Sequence, residues 1–222
     1  MIEGAARGGV RWQAVAGWCV RGACSAAILA PIAFMAACAV KSNPPAQAEV
    51  VNTEHVCSSC HGMDGRSVSP TFPNLAGQQA QYLETQLKAF RDHSRADPHA
   101  HTYMWGMAAR LTDPTIEGLA AFYSAQTPAV GSSGDPADMA DGQKIYEEGI
   151  PNRNVPACKG CHGDKAEGQA VFPRLAGQHR SYLEEQLAAF ASQSRANEIM
   201  HENSKNLTPA EITQVATYLA AQ

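Results

Sequence analysis

From residue 49 onward the apolar positions fall at helical rather than strand spacing. Tyr82, Leu83, Leu87 and Phe90 recur three and four apart after Gly77, and Tyr182, Leu183, Leu187 and Phe190 do the same after Gly177. Each set predicts one amphipathic helix with an inward stripe. A second pair of stripes, Ile116, Leu119, Ala120, Tyr123 and Ile212, Val215, Ala216, Leu219, keeps the i, i+3, i+4, i+7 rhythm. Thr208, Pro209 and Glu211 ahead of the latter form a capping box with proline at the first helical position. Gly142 to Gly149, with Ile145 and Tyr146, predicts one further helix, and no stretch alternates for long enough to predict a strand. The expected class is all-α. Residues 1–48 read differently: Arg7, Arg11 and Arg21 precede an apolar run from Ala23 to Val40, the pattern of an export leader and not of a fold.

The stripes come in pairs because the chain is one unit written twice. Phe72-Pro73-Asn74-Leu75-Ala76-Gly77-Gln78 returns as Phe172-Pro173-Arg174-Leu175-Ala176-Gly177-Gln178, and Tyr82-Leu83-Glu84 as Tyr182-Leu183-Glu184. The offset then drops from 100 to 96, because four extra residues lie between Asp97 and Met104, and Leu111-Thr112 pairs with Leu207-Thr208. The stretch from Thr127 to Pro136 is rich in turn formers and reads as a linker. The expected organisation is a leader (1–48), a first domain (49–128), a linker (129–136) and a second domain (137–222). Each domain is small enough that a buried cofactor would help complete its core.

Charge narrows the partners. Removing residues 1–48 takes away four basic residues and one acid, so the formal charge moves from −4 to −7. No basic stripe remains to bind nucleic acid, and an acidic chain meets its partners through positive or apolar patches on their side.

The cysteines carry the chemistry. Cys19, Cys24 and Cys38 lie in the leader, and the other four form Cys57-x-x-Cys60-His61 and Cys158-x-x-Cys161-His162. Two disulfides, or one zinc site, would use the cysteines but not the histidine that follows each pair. Cys-x-x-Cys-His is the attachment motif of haem c: two thiols add to the vinyl groups and the adjacent histidine reaches the iron. Two haem c groups per chain are therefore expected, bound covalently at Cys57, Cys60, Cys158 and Cys161, with His61 and His162 as iron ligands. The repeat locates a second axial ligand in each half: Met104 and Met200 both stand eight residues before the threonine of the Leu-Thr pair. Met107 competes with Met104 from three residues on.

Together these residues resemble the cytochrome c4 family, over nearly all of residues 49–222. The resemblance implies two class I cytochrome c domains, each wrapped around one covalent haem, related by a pseudo-twofold with haem edges and propionates close together. It also implies that Pro73 and Pro173, in the repeated segments, offer carbonyls to the N–H groups of His61 and His162. Two features depart from the pattern. His99 and His101 in the insertion could displace Met104, and cleavage after Ala48 would leave eight residues before Cys57, truncating the usual first helix.

With histidine and methionine on each iron no coordination position stays open, which favours electron transfer over catalysis. The expected function is a non-enzymatic periplasmic carrier of single electrons between a quinol-oxidising complex and a terminal oxidase or reductase. The rival readings are a cytochrome subunit of a periplasmic dehydrogenase, such as a flavocytochrome, and a two-haem peroxidase. The leader leaves placement open: cleavage after Ala48 frees the chain, cleavage before Cys38 tethers it by lipid, and retention anchors it in the membrane. The expected outcome for the purified protein is two haems per chain that survive acid–acetone extraction. N-terminal sequencing reads placement: Glu49 marks the freed form, a blocked Cys38 the lipid-tethered one.

Overall fold

The computed structural model describes residues 45–222; the apolar run and the leader cysteines, Cys38 among them, lie outside the described residues. The first repeat supplies α1 (Pro45–His61), α2 (Ala80–Arg91), α3 (Trp105–Ala108) and α4 (Asp113–Ser124). The second supplies α5 (Pro136–Glu148), α6 (Lys159–His162), α7 (Arg180–Ala191), α8 (Glu198–Ser204) and α9 (Pro209–Ala220). Among the described residues β pairing is confined to two isolated bridges, Ile150 with Val155 and Gln169 with Phe172, and the fold is all-α.

The helix starts are built from side chains that occupy otherwise unsatisfied N–H groups. Thr112 accepts from the Thr115 N–H at α4, and Thr208 and Glu211 complete the capping box at α9. Asp135 accepts from the N–H groups of Ala137 and Asp138, with Pro136 next in line. This cap starts α5 six residues before the Gly142 that opened the predicted element.

In the first repeat Leu83 of α2 packs on Leu119, Ala120 and Tyr123 of α4. In the second, Ile145 and Tyr146 of α5 and Leu183 of α7 pack on Val215, Ala216 and Leu219 of α9. The first and last helices of each repeat cross so closely that one partner lacks a side chain. In the first repeat the glycine is on the last helix, where a Cβ on Gly118 would strike the Val50 side chain of α1. In the second it is on the first helix, where a Cβ on Gly142 would strike the Gln214 carbonyl of α9.

α1 runs for 17 residues, straight through Cys57 and Cys60 to His61, with Ala48 in its first turn. The second repeat instead breaks between α5 and α6, with a 3-10 turn at Pro151–Arg153. The four-residue insertion is absorbed as a π-helical turn, Ala100–Met104, that runs directly into α3.

The connection between the repeats is pinned at a few points, although Val130 within it is 93% exposed. Ser132 donates its N–H to the Ala220 carbonyl at 2.8 Å. Gly77 (φ +67°) and Gly177 (φ +71°) take left-handed backbone, and a Cβ on them would meet Pro128 and the Ala129 carbonyl, respectively. The glycine of each Leu-Ala-Gly-Gln segment is thus held against the linker.

The two crossings predict unequal tolerance. Gly142→Ala pushes a methyl into main chain and lowers stability by about 1–3 kcal/mol. Gly118→Ala meets only a valine side chain and costs less. Thermal unfolding of the haem-loaded variants ranks them; equal midpoints would contradict the packing argument.

Candidate functional site

Each Cys-x-x-Cys-His motif is delivered by a helix that ends at its histidine. His61 sits 2.9 Å, through Nδ1, from the Pro73 carbonyl oxygen, and His162 sits 3.0 Å from that of Pro173. A carbonyl can only accept, so Nδ1 carries the proton and Nε2 keeps its lone pair for a metal. Burial lowers the pKa of both rings, outweighing the opposing effect of the proline carbonyls, and keeps them neutral. Phe72 and Phe172 set their rings edge-on to the two imidazoles. Cys57, Cys60, Cys158 and Cys161 form no disulfide. Burial pushes the Cys57 thiol up, and that of Cys158 to about 11, so both are neutral at pH 7.

A largely apolar cavity of about 850 Å³ runs through both repeats. Its wall includes Cys57, His61 and Met104 from one repeat and Cys158, His162 and Met200 from the other. Met107 is absent from that wall and is 56% exposed. His99 reaches the wall, but its Nδ1 lies 3.1 Å from Glu185 of the other repeat. His101 is exposed, with its ring edge-on to Trp105 at 4.6 Å. Tyr123 Oη on the wall is buried with no hydrogen-bond partner among the described residues, a polar atom that a bound group could satisfy. Cysteine pairs, neutral histidines with a free nitrogen, thioethers and apolar walls fit one haem in each repeat.

Between the repeats lies a polar cluster that pattern reading passed over. Arg95 donates to Gln86 Oε1 (2.9 Å) and Gln186 Oε1 (2.9 Å), and Arg195 donates to the same two oxygens at 2.7 and 2.6 Å. Each arginine also reaches the tyrosine of the opposite repeat, Arg95 to Tyr182 and Arg195 to Tyr82. Symmetry breaks at one position. Asp97, only 1% exposed, pairs with Arg95 at 2.8 Å, whereas its counterpart Asn197 turns away to cap α8. A second exchange joins the repeated segments: Gln178 bonds the main chain of Asn74, and Gln78 that of Arg174. The signal for all of these was polar identity kept at matching repeat positions, at Tyr82 and Tyr182, Gln86 and Gln186, and Gln78 and Gln178.

What the two repeats hold in common is the apparatus of a c-type cytochrome, so the protein is a two-haem electron-transfer protein and not an enzyme. Comparison with known proteins narrows the class. The cytochrome c family model matches residues 48–124 and 139–222. Cytochrome c4 of Thiocapsa roseopersicina is 37% identical over 78% of this chain and 90% of its own length. The solved structure of Acidithiobacillus ferrooxidans cytochrome c4 superposes with a TM-score of 0.72 at 42% identity, covering 75% of this chain and 98% of that one. A thiosulfate dehydrogenase electron acceptor of Thiomonas intermedia is 36% identical over 75% of this chain and 78% of its length. The chain belongs to the cytochrome c4 family and carries two covalent haem c groups.

The Asp97 pairing makes a pH prediction. Burial alone would raise its carboxyl, but the Arg95 hydrogen bond and charge outweigh it and hold the pKa below the usual value, with Arg195 assisting. The pairing therefore stabilises the fold fully above the unfolded pKa of about 3.9 and is lost as pH falls through the lower, folded value. Asp97→Asn lowers stability at pH 7 and flattens the loss below about pH 4. Guanidinium unfolding between pH 3 and 7 measures both, and an unchanged acid limb would count against the assignment.

Proposed function

We propose that this chain carries single electrons in the periplasm between a quinol-oxidising complex and a terminal oxidase or reductase, with His61 and Met104 on one iron and His162 and Met200 on the other. The observation that carries the assignment is the matched placement of a neutral histidine and a methionine on the cavity wall in both repeats. Bound haem supplies the one-electron iron couple. The chain's own residues do the rest. Cys57, Cys60, Cys158 and Cys161 hold the group by thioether bonds. Pro73 and Pro173 orient the imidazoles. Apolar walls exclude water, and a filled coordination sphere keeps small molecules from the metal. The same filling weighs against a peroxidase, which needs one open position. The domains are taken as 49–128 and 137–222, joined by 129–136.

Periplasmic placement is supported by the leader pattern, since covalent haem attachment needs reduced thiols outside the cytoplasm. No helix among the described residues is long and apolar enough to cross a membrane. A second reading, the electron-accepting partner of a dehydrogenase, is favoured by the relative named for accepting electrons from thiosulfate dehydrogenase. Co-purification of the native protein separates the two: a dehydrogenase retained at fixed stoichiometry supports the second reading and overturns the first.

Ligation is tested by single substitutions. Met200→Ala removes the methionine–iron charge-transfer band of the second haem and lowers its potential. Met104→Ala does so for the first haem, while Met107→Ala, His99→Ala and His101→Ala leave both spectra intact. A band lost in Met107→Ala but kept in Met104→Ala would reverse the assignment.

A further inference from the structure

We infer that Gln178 and Gln78 are reciprocal positioning residues, each setting the strength of the hydrogen bond made by the haem-ligating histidine of the opposite repeat. The inference rests on reading His61 and His162 as iron ligands. The decisive geometry is a single peptide group. Its carbonyl, that of Pro73, accepts the His61 Nδ1–H at 2.9 Å, and its N–H, that of Asn74, donates to Gln178 Oε1 at 2.8 Å. The other half repeats the chain: His162 donates to the Pro173 carbonyl at 3.0 Å, and the Arg174 N–H of that peptide donates to Gln78 Oε1 at 2.7 Å. Each imidazole is thus connected through one amide to a carboxamide of the other domain.

The carboxamides are well held. Gln178 Nε2 returns to the Asn74 carbonyl at 2.9 Å and Gln78 Nε2 to that of Arg174 at 2.9 Å, so each glutamine grips both polar groups of the residue after the proline. Each Oε1 also accepts the N–H of the residue next to it, from Gln79 at 2.9 Å and His179 at 3.0 Å. A flipped carboxamide would set its NH₂ against two N–H donors, so its orientation is fixed. Both glutamines are buried, at 7% exposure, where hydrogen bonds in series polarise one another. An amide whose N–H is engaged carries more negative charge on its oxygen and draws harder on the histidine N–H. The imidazole becomes more basic and stabilises the oxidised iron. Gln178 therefore lowers the reduction potential of the haem in repeat one and Gln78 that of the haem in repeat two.

The test uses the full haem-loaded chain and two variants at Gln178 with a matching one at Gln78, the potentials resolved haem by haem in an NMR-monitored redox titration. Gln178→Met keeps length but replaces the carboxamide oxygen with a thioether, at best a weak acceptor. The expected result is a raised potential at the first haem with the second unmoved, and an upfield shift of the His61 Nδ1–H resonance in the reduced protein. Gln178→Glu keeps an acceptor in either protonation state and leaves the first haem at or below its wild-type potential. Gln78→Met raises the second haem alone. A merely structural clamp would move both haems together in either methionine variant, and that result, or no movement at all with both haems bound, overturns the inference. Failure of the underlying ligation is read separately, as a His61→Ala variant whose first haem keeps its wild-type spectrum.

Discussion

A buried histidine N–H must find an acceptor, and much of this structure follows from how that need is met. Left unpaired, such a group costs about 1–3 kcal/mol. Here it would also leave the imidazole free to rotate away from a metal. The acceptors are main-chain carbonyls, Pro73 and Pro173, and a carbonyl is only as well placed as the loop that holds it. Those loops are irregular, so their order comes from elsewhere: from the glycines held against the linker, from Gly77 and Gly177 donating to the Tyr123 and Leu219 carbonyls of the last helices, and from a glutamine of the other repeat. The histidine geometry of each domain therefore depends on contacts outside its own helical core.

The same dependence explains why the buried face between the repeats is polar. Two guanidiniums, on arginines 8% and 6% exposed, share two carboxamide oxygens, and they lie 4.6 and 4.5 Å from a phenylalanine ring of their own repeat. Like charges so close would repel. The shared oxygens, the crossed tyrosines, the ring faces and the one carboxylate of Asp97 offset that repulsion. Asn197, without a carboxylate to pair, caps α8 by accepting the Met200 N–H at 2.9 Å. A single acid-to-amide difference thus separates the repeats twice, in the charge of the cluster and in the way the methionine segment begins.

The helices were legible because burial imposes a period on apolar residues, and Leu83, Leu119, Val215 and Leu219 sit on the stripes that predicted them. The candidate haem-binding residues stood out because covalent attachment demands two thiols and a histidine at fixed spacing. Tertiary partners did not. Nothing in the neighbourhood of Gln178 announces that its acceptor serves Asn74, 104 positions away. Arg95 is buried beside Gln186 of the opposite repeat, a partner 91 positions away. α1 begins at Pro45, where a proline is well tolerated as the first residue of a helix. The insertion before Met104 was countable, but a π turn is a local response to packing and leaves no periodic mark.

A duplicated domain could have been two beads on a string, each holding its cofactor alone. The exchanged glutamines make the arrangement a single choice. Asn74 loses both main-chain partners if the second repeat slides or turns, as Arg174 does if the first does, and Arg95 and Arg195 would lose shared acceptors at the same moment. Buried polar groups that depend on partners in the other repeat tolerate few alternative registers, whereas an apolar face of equal area would accept many. One register means one separation between the two haem-binding walls. Electron exchange between bound haems depends steeply on separation, so the residues that specify the register also govern the function. They do so from positions that bear no side chain to the metal.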